Sequence, residues 1–237
     1  MKKIHLIGLA LFAALAVSAV AVASAFAVEP VWLLNGAVLT GAVKVDLANI
    51  AGTKLLIEDM KTGTDLLCSG LFEGTINSNG KDEITLVEDL EAKDVTKANE
   101  GNAETGWVDC EISAKGLCEE ANGALTKVFP LGLPWKTQLL LIVVGGKEII
   151  VDDLQGTTLG YLVECLSFGV KVDDACTGET SGEVLNVVGG VESIFNEANL
   201  EITPAVNCTI GGAKEGLQSG AGLVTPTAGG TVTVSEV

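Results

Sequence analysis

The strongest pattern in the chain is a series of short apolar runs separated by glycine-rich or asparagine-rich dipeptides. Residues 139–144 read LLLIVV, Gly145-Gly146 follows, and residues 149–151 read IIV. Two β-rich runs around a Gly-Gly turn predict a β-hairpin. The first run is far shorter than the roughly 20 apolar residues that a membrane-spanning helix needs. Because successive positions are apolar, we expect this hairpin to be buried and central in its sheet.

The same pattern recurs along most of the chain. Residues 43–47 read VKVDL, and this alternation predicts a half-buried strand. Residues 159–172 are long enough for a single strand with a bulge at Gly169. Short strands with glycine-rich turns predict an all-β fold, as a disulfide-stapled antiparallel β-sandwich or barrel-like domain. Further strands are predicted at 54–57, 65–68, 84–87, 107–112, 125–129, 185–188, 200–202 and 231–234.

The first 27 residues have the pattern of a signal peptide. Lys2 and Lys3 precede a long apolar run, and Ala25-Phe26-Ala27 provides the small residues that signal peptidase requires. We predict cleavage before Val28, with an earlier cleavage site or an uncleaved anchor helix as alternatives. Residues 28–237 then form one secreted all-β domain, and two subdomains that meet near residues 98–106 are the alternative.

The composition excludes several classes of function. His5 is the only histidine and lies in the predicted signal peptide, and all 14 basic residues are lysines. Without histidine or arginine, the predicted mature chain has no Ser-His-Asp triad, no imidazole metal ligand and no guanidinium for phosphate. It has 12 basic and 31 acidic residues, a net charge of 12 − 31 = −19. This charge opposes binding to a nucleic-acid backbone, and we expect no stable membrane insertion after signal cleavage.

An even number of cysteines in an exported chain predicts three disulfides. Short-range loop closure favours Cys110–Cys118 and Cys165–Cys176, which leaves Cys68–Cys208 as the long-range link. No Cys-x-x-Cys pair occurs, so a cysteine-based metal site is not expected.

Two aspartate pairs are the candidate metal ligands. Asp152-Asp153 and Asp173-Asp174 each precede a turn-like segment rich in glycine and threonine. Calcium prefers several oxygen ligands, so these carboxylates could bind it, although neither segment matches a known calcium loop. The simpler interpretation is that both pairs lie where strands enter turns, which is a common place for aspartate. No other cofactor is predicted.

Catalysis has weak support in the sequence. The chemistry that the composition still permits is a carboxylate pair, as in glycosidases, but with 31 acidic residues such a pair is not a specific signal. The aromatic residues Trp32, Trp107, Trp135 and Tyr161 could stack on a glycan, but Trp107 and Trp135 adjoin strands and are better explained as core residues. We therefore expect no enzyme.

The motifs LCSG at 67–70, LPWKT at 133–137 and GVKVDDACTG at 169–178 resemble those of secreted, disulfide-containing proteins of actinobacteria without a known activity. The resemblance implies export and disulfides, and it implies no ligand or catalytic residue. The sequence thus predicts a noncatalytic extracellular structural or surface protein. The alternatives are a calcium- or glycan-binding module with a cell-surface or glycan partner and, more distantly, a carboxylate-based hydrolase.

Overall fold

The computed structural model describes residues 29–50, 53–59, 61–89, 108–116, 118, 126–156, 158–195, 206–210 and 212–236. The predicted signal peptide at 1–27, the segment 98–106 and the predicted strand at 200–202 lie outside these residues. Within the described part, the chain forms eighteen β-strands and no helix, which confirms the all-β prediction.

In chain order the strands are β1 (Pro30–Leu34), β2 (Ala37–Val38), β3 (Val43–Asn49), β4 (Leu55–Asp59), β5 (Thr64–Cys68), β6 (Gly70–Ile76), β7 (Lys81–Asp89), β8 (Val108–Lys115), β9 (Thr126–Leu131), β10 (Trp135–Val144), β11 (Lys147–Gln155), β12 (Gly160–Ser167), β13 (Val170–Thr177), β14 (Thr180–Val187), β15 (Gly190–Phe195), β16 (Val206–Cys208), β17 (Gly212–Pro226) and β18 (Val232–Glu236).

The described strands form two closed antiparallel rings that share β17. Ring 1 runs β3, β6, β7, β10, β11, β14, β15 and β17, and the pairing of β17 with β3 closes it. Ring 2 runs β4, β5, β8, β9, β12, β13, β16 and β17, and the pairing of β17 with β4 closes it. The fold is therefore barrel-like, and both rings draw strands from either side of residues 98–106.

The long strand β17 passes from one ring to the other near Gly220. Residues 216–219 pair with β4 in ring 2, whereas residues 220–224 pair with β15 in ring 1. Gly220 has φ +148°, and a Cβ atom there would lie 3.1 Å from the Cα atom of Leu55. Glycine is thus needed at this position both for its backbone conformation and for the close approach of β4.

A separate three-stranded sheet, β18-β1-β2, packs against ring 1. Its residues Trp32, Val232 and Val234 are buried in one core with residues of ring 1 such as Val45 and Leu139. A second core includes residues of both rings, with Trp135 from ring 1 packed among residues of ring 2 such as Tyr161. The two rings therefore share apolar packing as well as a strand.

The hairpin predicted around Gly145-Gly146 is confirmed as β10 and β11, and both glycines have positive φ, at 60° and 80°. This conformation suits a two-residue turn whose twist matches that of the strands. The expectation of a fully buried hairpin was wrong, because Leu139 and Val151 are buried while Val143, near the turn, is 66% exposed. Because alternate residues share a face, Leu139 and Val143 point the same way, so burial of the apolar run decreases along the strand toward the turn.

The single bulged strand predicted over 159–172 was also wrong. The chain forms two strands, β12 and β13, which pair with each other as a hairpin. Phe168 and Gly169 form the turn with φ values of 49° and 76°. The sequence Ser-Phe-Gly-Val conceals this turn, because phenylalanine is unusual at a position with positive φ.

The structure forms three disulfides, but none with the predicted partners. The pairs are Cys68–Cys110, Cys118–Cys165 and Cys176–Cys208, and each includes at least one strand of ring 2, while Cys118 itself lies outside the strands. Two of them join residues that lie directly opposite each other on paired strands, β5 with β8 and β13 with β16. Cys165 is paired with Val172 in the β12–β13 hairpin, so it lies several positions from Cys176. Strand register, and not the shortest loop, decides the pairing.

Candidate functional site

The candidate site lies inside ring 1, where three polar side chains occupy inward positions on neighbouring strands. Asp82 on β7 lies opposite Thr137 on β10, and Asp152 on β11 lies opposite Leu139. Because alternate residues of a strand point to opposite faces, these side chains share the face of the buried residue Leu139. The sequence places carboxylates where an apolar residue is expected.

Asp82 is held by two hydrogen bonds. Its Oδ1 accepts from the backbone N–H of Asn77 at 2.6 Å, and its Oδ2 accepts from the indole Nε1–H of Trp32 at 2.5 Å. Trp32 belongs to β1, so the three-stranded sheet supplies a donor to ring 1. The turn before β7 positions Asn77, and Gly80 completes this turn with φ +65°. Asp82 is 5% exposed and fixed in orientation.

Asp152 is less well satisfied than Asp82. Its residue has intermediate exposure, but its Oδ1 is inaccessible to solvent and has no hydrogen-bond partner among the described residues. A buried carboxylate oxygen without a donor is unfavourable when the group is ionised. Asp152 is therefore the member of the pair with free capacity to accept a hydrogen bond.

Burial raises the pKa of both carboxyls well above the ordinary value of 3.8. Burial and then the nearby charge of Asp152 raise the pKa of Asp82 to about 7, against the lowering effect of its bonds from Trp32 and Asn77. Burial raises the pKa of Asp152 to about 6, with an opposing effect from the Thr137 hydroxyl and a further rise from Asp153. The two groups therefore change charge near neutral pH.

A cavity of about 50 Å³ adjoins these carboxylates. Its lining includes the polar residues Asp82, Thr137, Asp152 and the buried Ser193, and most of the other lining side chains are apolar. Eight-stranded barrels commonly have interiors that are filled by side chains or hold one small ligand. Each carboxyl can take up a proton near neutral pH, or the pair can attract a cation.

Ring 2 also contains two buried aspartates beside a smaller cavity. Asp174 accepts from Thr209 Oγ1 at 2.7 Å and from the backbone N–H of Ile210 at 2.9 Å. Asp59 Oδ1 accepts from the backbone N–H groups of Lys61 and Thr62, while its buried Oδ2 has no partner among the described residues. Both aspartates line the cavity.

The predicted metal ligands are divided between the two faces of their strands. Asp152 faces the interior of ring 1, whereas Asp153 accepts from Ser181 Oγ at 2.6 Å on the outer face. Asp174 faces the interior of ring 2, whereas Asp173 forms an exposed ion pair with Lys171. Neighbouring aspartates on a strand therefore cannot converge on one ion. Asp174 lies near the sulfurs of Cys176 and Cys208, which are bonded to each other and are not free thiolates.

The aromatic residues and Asp82 complete the comparison with the sequence. Burial of Trp135 agrees with the expectation of a core residue. Burial also keeps Trp32 and Tyr161 from forming a glycan-binding surface on the exterior. Trp107 lies outside the described residues. Sequence reasoning missed Asp82. The sequence did contain a signal: Asp82 lies two positions before Ile84, so on a strand it shares the inward face of that partly buried residue.

No protein-family model matches the chain, and no curated protein or solved structure shows significant similarity to it. Among the described residues, no helix is long and apolar enough to cross a membrane. The three disulfides indicate an oxidising environment. Inferences about function therefore rest on the two rings and their interior groups.

Proposed function

We propose that this chain is an exported, noncatalytic structural protein of the cell surface or the extracellular space. The observation that carries the proposal is ring closure. Among the described strands, every member of either ring has a hydrogen-bonded neighbour on each side. Closed rings leave no long free edge for proteases or for pairing with other chains, which suits a protein that persists outside the cell.

The disulfides and the charge support the same role. All three disulfides involve strands of ring 2, where β16 pairs with β13 through only two residue pairs. A covalent link at Cys176–Cys208 therefore reinforces a short strand contact. The net charge of −17 opposes self-association in solution.

This role predicts that the oxidised chain resists proteolysis without any added ligand. It also predicts that Cys176–Cys208 contributes more to this resistance than Cys68–Cys110 does. Removing Cys176–Cys208 in C176A/C208A is expected to lower the free energy of unfolding by about 3 kcal/mol or more and to accelerate cleavage by subtilisin. C68A/C110A is the matched control, because its loop is of similar length but β5 and β8 share five residue pairs. Cleavage rates are followed by gel densitometry.

Equal cleavage rates for the two double variants would contradict the importance of closure at β16. Rapid cleavage of the oxidised wild-type chain, relieved only by a ligand or partner, would contradict the structural role itself.

A calcium-binding module is the second candidate, and one observation favours it. Asp59 and Asp174 line the same interior cavity of ring 2, and Asp59 has a buried oxygen without a partner. A calcium ion there would use this oxygen together with Asp174. The glycan alternative has no such support, because the described aromatic residues are buried.

Calcium binding predicts a rise in the thermal unfolding midpoint when millimolar Ca²⁺ replaces EDTA. A ligand at 100 times its dissociation constant adds about 2.7 kcal/mol, which corresponds to about 5–11 °C for a chain of this size. Asp59→Asn should abolish the shift, and Asp173→Asn, on the outer face, should keep it. No shift beyond that given by Na⁺ at equal ionic strength would exclude calcium as the ligand.

A further inference from the structure

The cavity of ring 1 differs from an ordinary packing defect in its chemistry. The cavity volume of about 50 Å³ gives room for roughly three to five small heavy atoms. Empty cavities in proteins are usually apolar, whereas the residues that line this one include three with carboxylates and three with hydroxyls. It is therefore suited to a small molecule with both an apolar and a polar part.

Glycine at position 182 keeps the space beside Ser193 open. A Cβ atom on Gly182 would lie 3.0 Å from Ser193 Oγ and 3.1 Å from Phe195 Cζ. Gly74, another inward position, also lines the cavity. A larger residue at Gly182 would crowd the space beside Ser193, whereas one at Gly74 would clash with the backbone oxygen of Glu83.

The carboxylates lack a positive partner in the cavity. None of its lining residues is basic, and the ion pairs formed by described residues elsewhere do not involve Asp82 or Asp152. Buried charges in proteins are normally paired or bound to a cation. Asp152 Oδ1, buried and without a partner among the described residues, is the unsatisfied acceptor that such a cation would compensate.

The surroundings favour an organic cation over a metal ion. Calcium requires six to eight oxygen ligands, but most of the cavity wall is apolar, with side chains such as Phe72, Val184 and Val224. Both oxygens of Asp82 already accept N–H donors from Trp32 and Asn77. A primary ammonium group has three N–H donors and so needs fewer acceptors than calcium, and its alkyl part can contact the apolar wall.

We propose that ring 1 binds a small primary ammonium compound, with its nitrogen against Asp152 and Ser193 and its alkyl part against the apolar wall. This binding function goes beyond the structural role and does not depend on it. The ligand class follows from charge, size and polarity: one positive charge, a few heavy atoms and a short apolar chain.

The test is calorimetric titration of the oxidised chain at about pH 8 with n-propylammonium chloride. At this pH both carboxyls are largely ionised and the ligand carries its proton. We expect one site with a dissociation constant of about 1 mM or tighter, which is within reach of so small a ligand. 1-Propanol, which has a similar shape without the charge, should bind at least tenfold more weakly.

Three variants locate the site. Asp152→Asn should weaken binding at least tenfold, and Gly182→Ala should weaken it by filling space beside Ser193. Asp153→Asn is the matched control, because it removes the same charge from the outer face of the same strand and should leave binding unchanged. The Trp32 indole N–H resonance, assigned by its loss in Trp32→Phe, should shift on titration, and this readout also shows that each variant is folded.

Several outcomes would overturn the proposal. These are no saturable binding of n-propylammonium, equal binding of 1-propanol, or an equal loss of affinity in Asp152→Asn and Asp153→Asn. Tighter binding of Ca²⁺ than of n-propylammonium, abolished by Asp152→Asn, would assign the cavity to a metal ion instead.

Discussion

Asp152→Asn is expected to stabilise the protein at about pH 8 by about 2–3 kcal/mol and to have little effect near pH 4. Asparagine retains the shape of aspartate and removes a charge that burial disfavours. The folded-state pKa values of about 6 for Asp152 and about 7 for Asp82 exceed the ordinary value of 3.8. A shift of two units corresponds to about 2.7 kcal/mol between the protonation states.

The sign of this effect follows from proton linkage. Between about pH 4 and pH 7 the folded protein holds protons that the unfolded chain has released. The stability contributed by these two carboxyls is therefore greatest at low pH and falls as the pH rises through their folded-state pKa values. Asp152→Asn removes the pH-dependent loss of stability caused by Asp152, and it also removes the charge that raises the pKa of Asp82.

Urea denaturation of wild type and Asp152→Asn at about pH 4 and about pH 8 measures the change in the free energy of unfolding at each pH. Asp153→Asn is the control, because it changes the net charge equally from the outer face. A variant Asp152→Asn that is less stable than wild type at about pH 8 would show that Asp152 is already neutralised by a bound partner or is accessible to water.

Trp135→Ala should have the largest effect of any single substitution considered, a loss of about 4 kcal/mol in the free energy of unfolding. Trp135 is 2% exposed, and its Nε1–H donates to the carbonyl oxygen of Leu131 at 2.6 Å. Its ring centroid lies 5.4 Å from that of Tyr161 in an edge-on arrangement and 6.4 Å from that of Phe72. Truncation would remove these contacts and leave a cavity.

The position of Trp135 makes this loss informative about the two rings. Trp135 and Phe72 belong to ring 1, whereas Leu131 and Tyr161 belong to ring 2. Because one side chain packs against both, we expect the wild-type chain and Trp135→Ala to unfold in one transition, with the midpoint of the variant lower by about 8–16 °C.

Calorimetry and circular dichroism provide the measurement. Val143→Ala, an exposed position on the same strand, should change stability by less than about 1 kcal/mol. Two separate transitions in the wild type, with only one of them lowered in Trp135→Ala, would show that the rings have independent cores.

The sequence and the structure agree where the signal is local. The turn at Gly145-Gly146 was predicted because two glycines between β-rich runs suit a tight hairpin, and no distant residue is needed for that inference. Leu139 and Trp135 were expected in a core for a similarly local reason, the apolar character of their segment. The glycine-rich strand β17 was missed, because local composition disfavours a strand there while pairing with four other strands stabilises it.

By itself, the sequence determined the all-β class, the hairpin of β10 and β11, and the participation of cysteines in disulfides. These depend on alternation, turn residues and residue type, which act over a few positions. Only the tertiary structure decided that Cys176 pairs with Cys208, that β17 closes two rings, and that Asp82 and Asp152 share one cavity. Each of these depends on the register between strands distant in the chain, and that register is set by the packing of the whole barrel rather than by neighbouring residues.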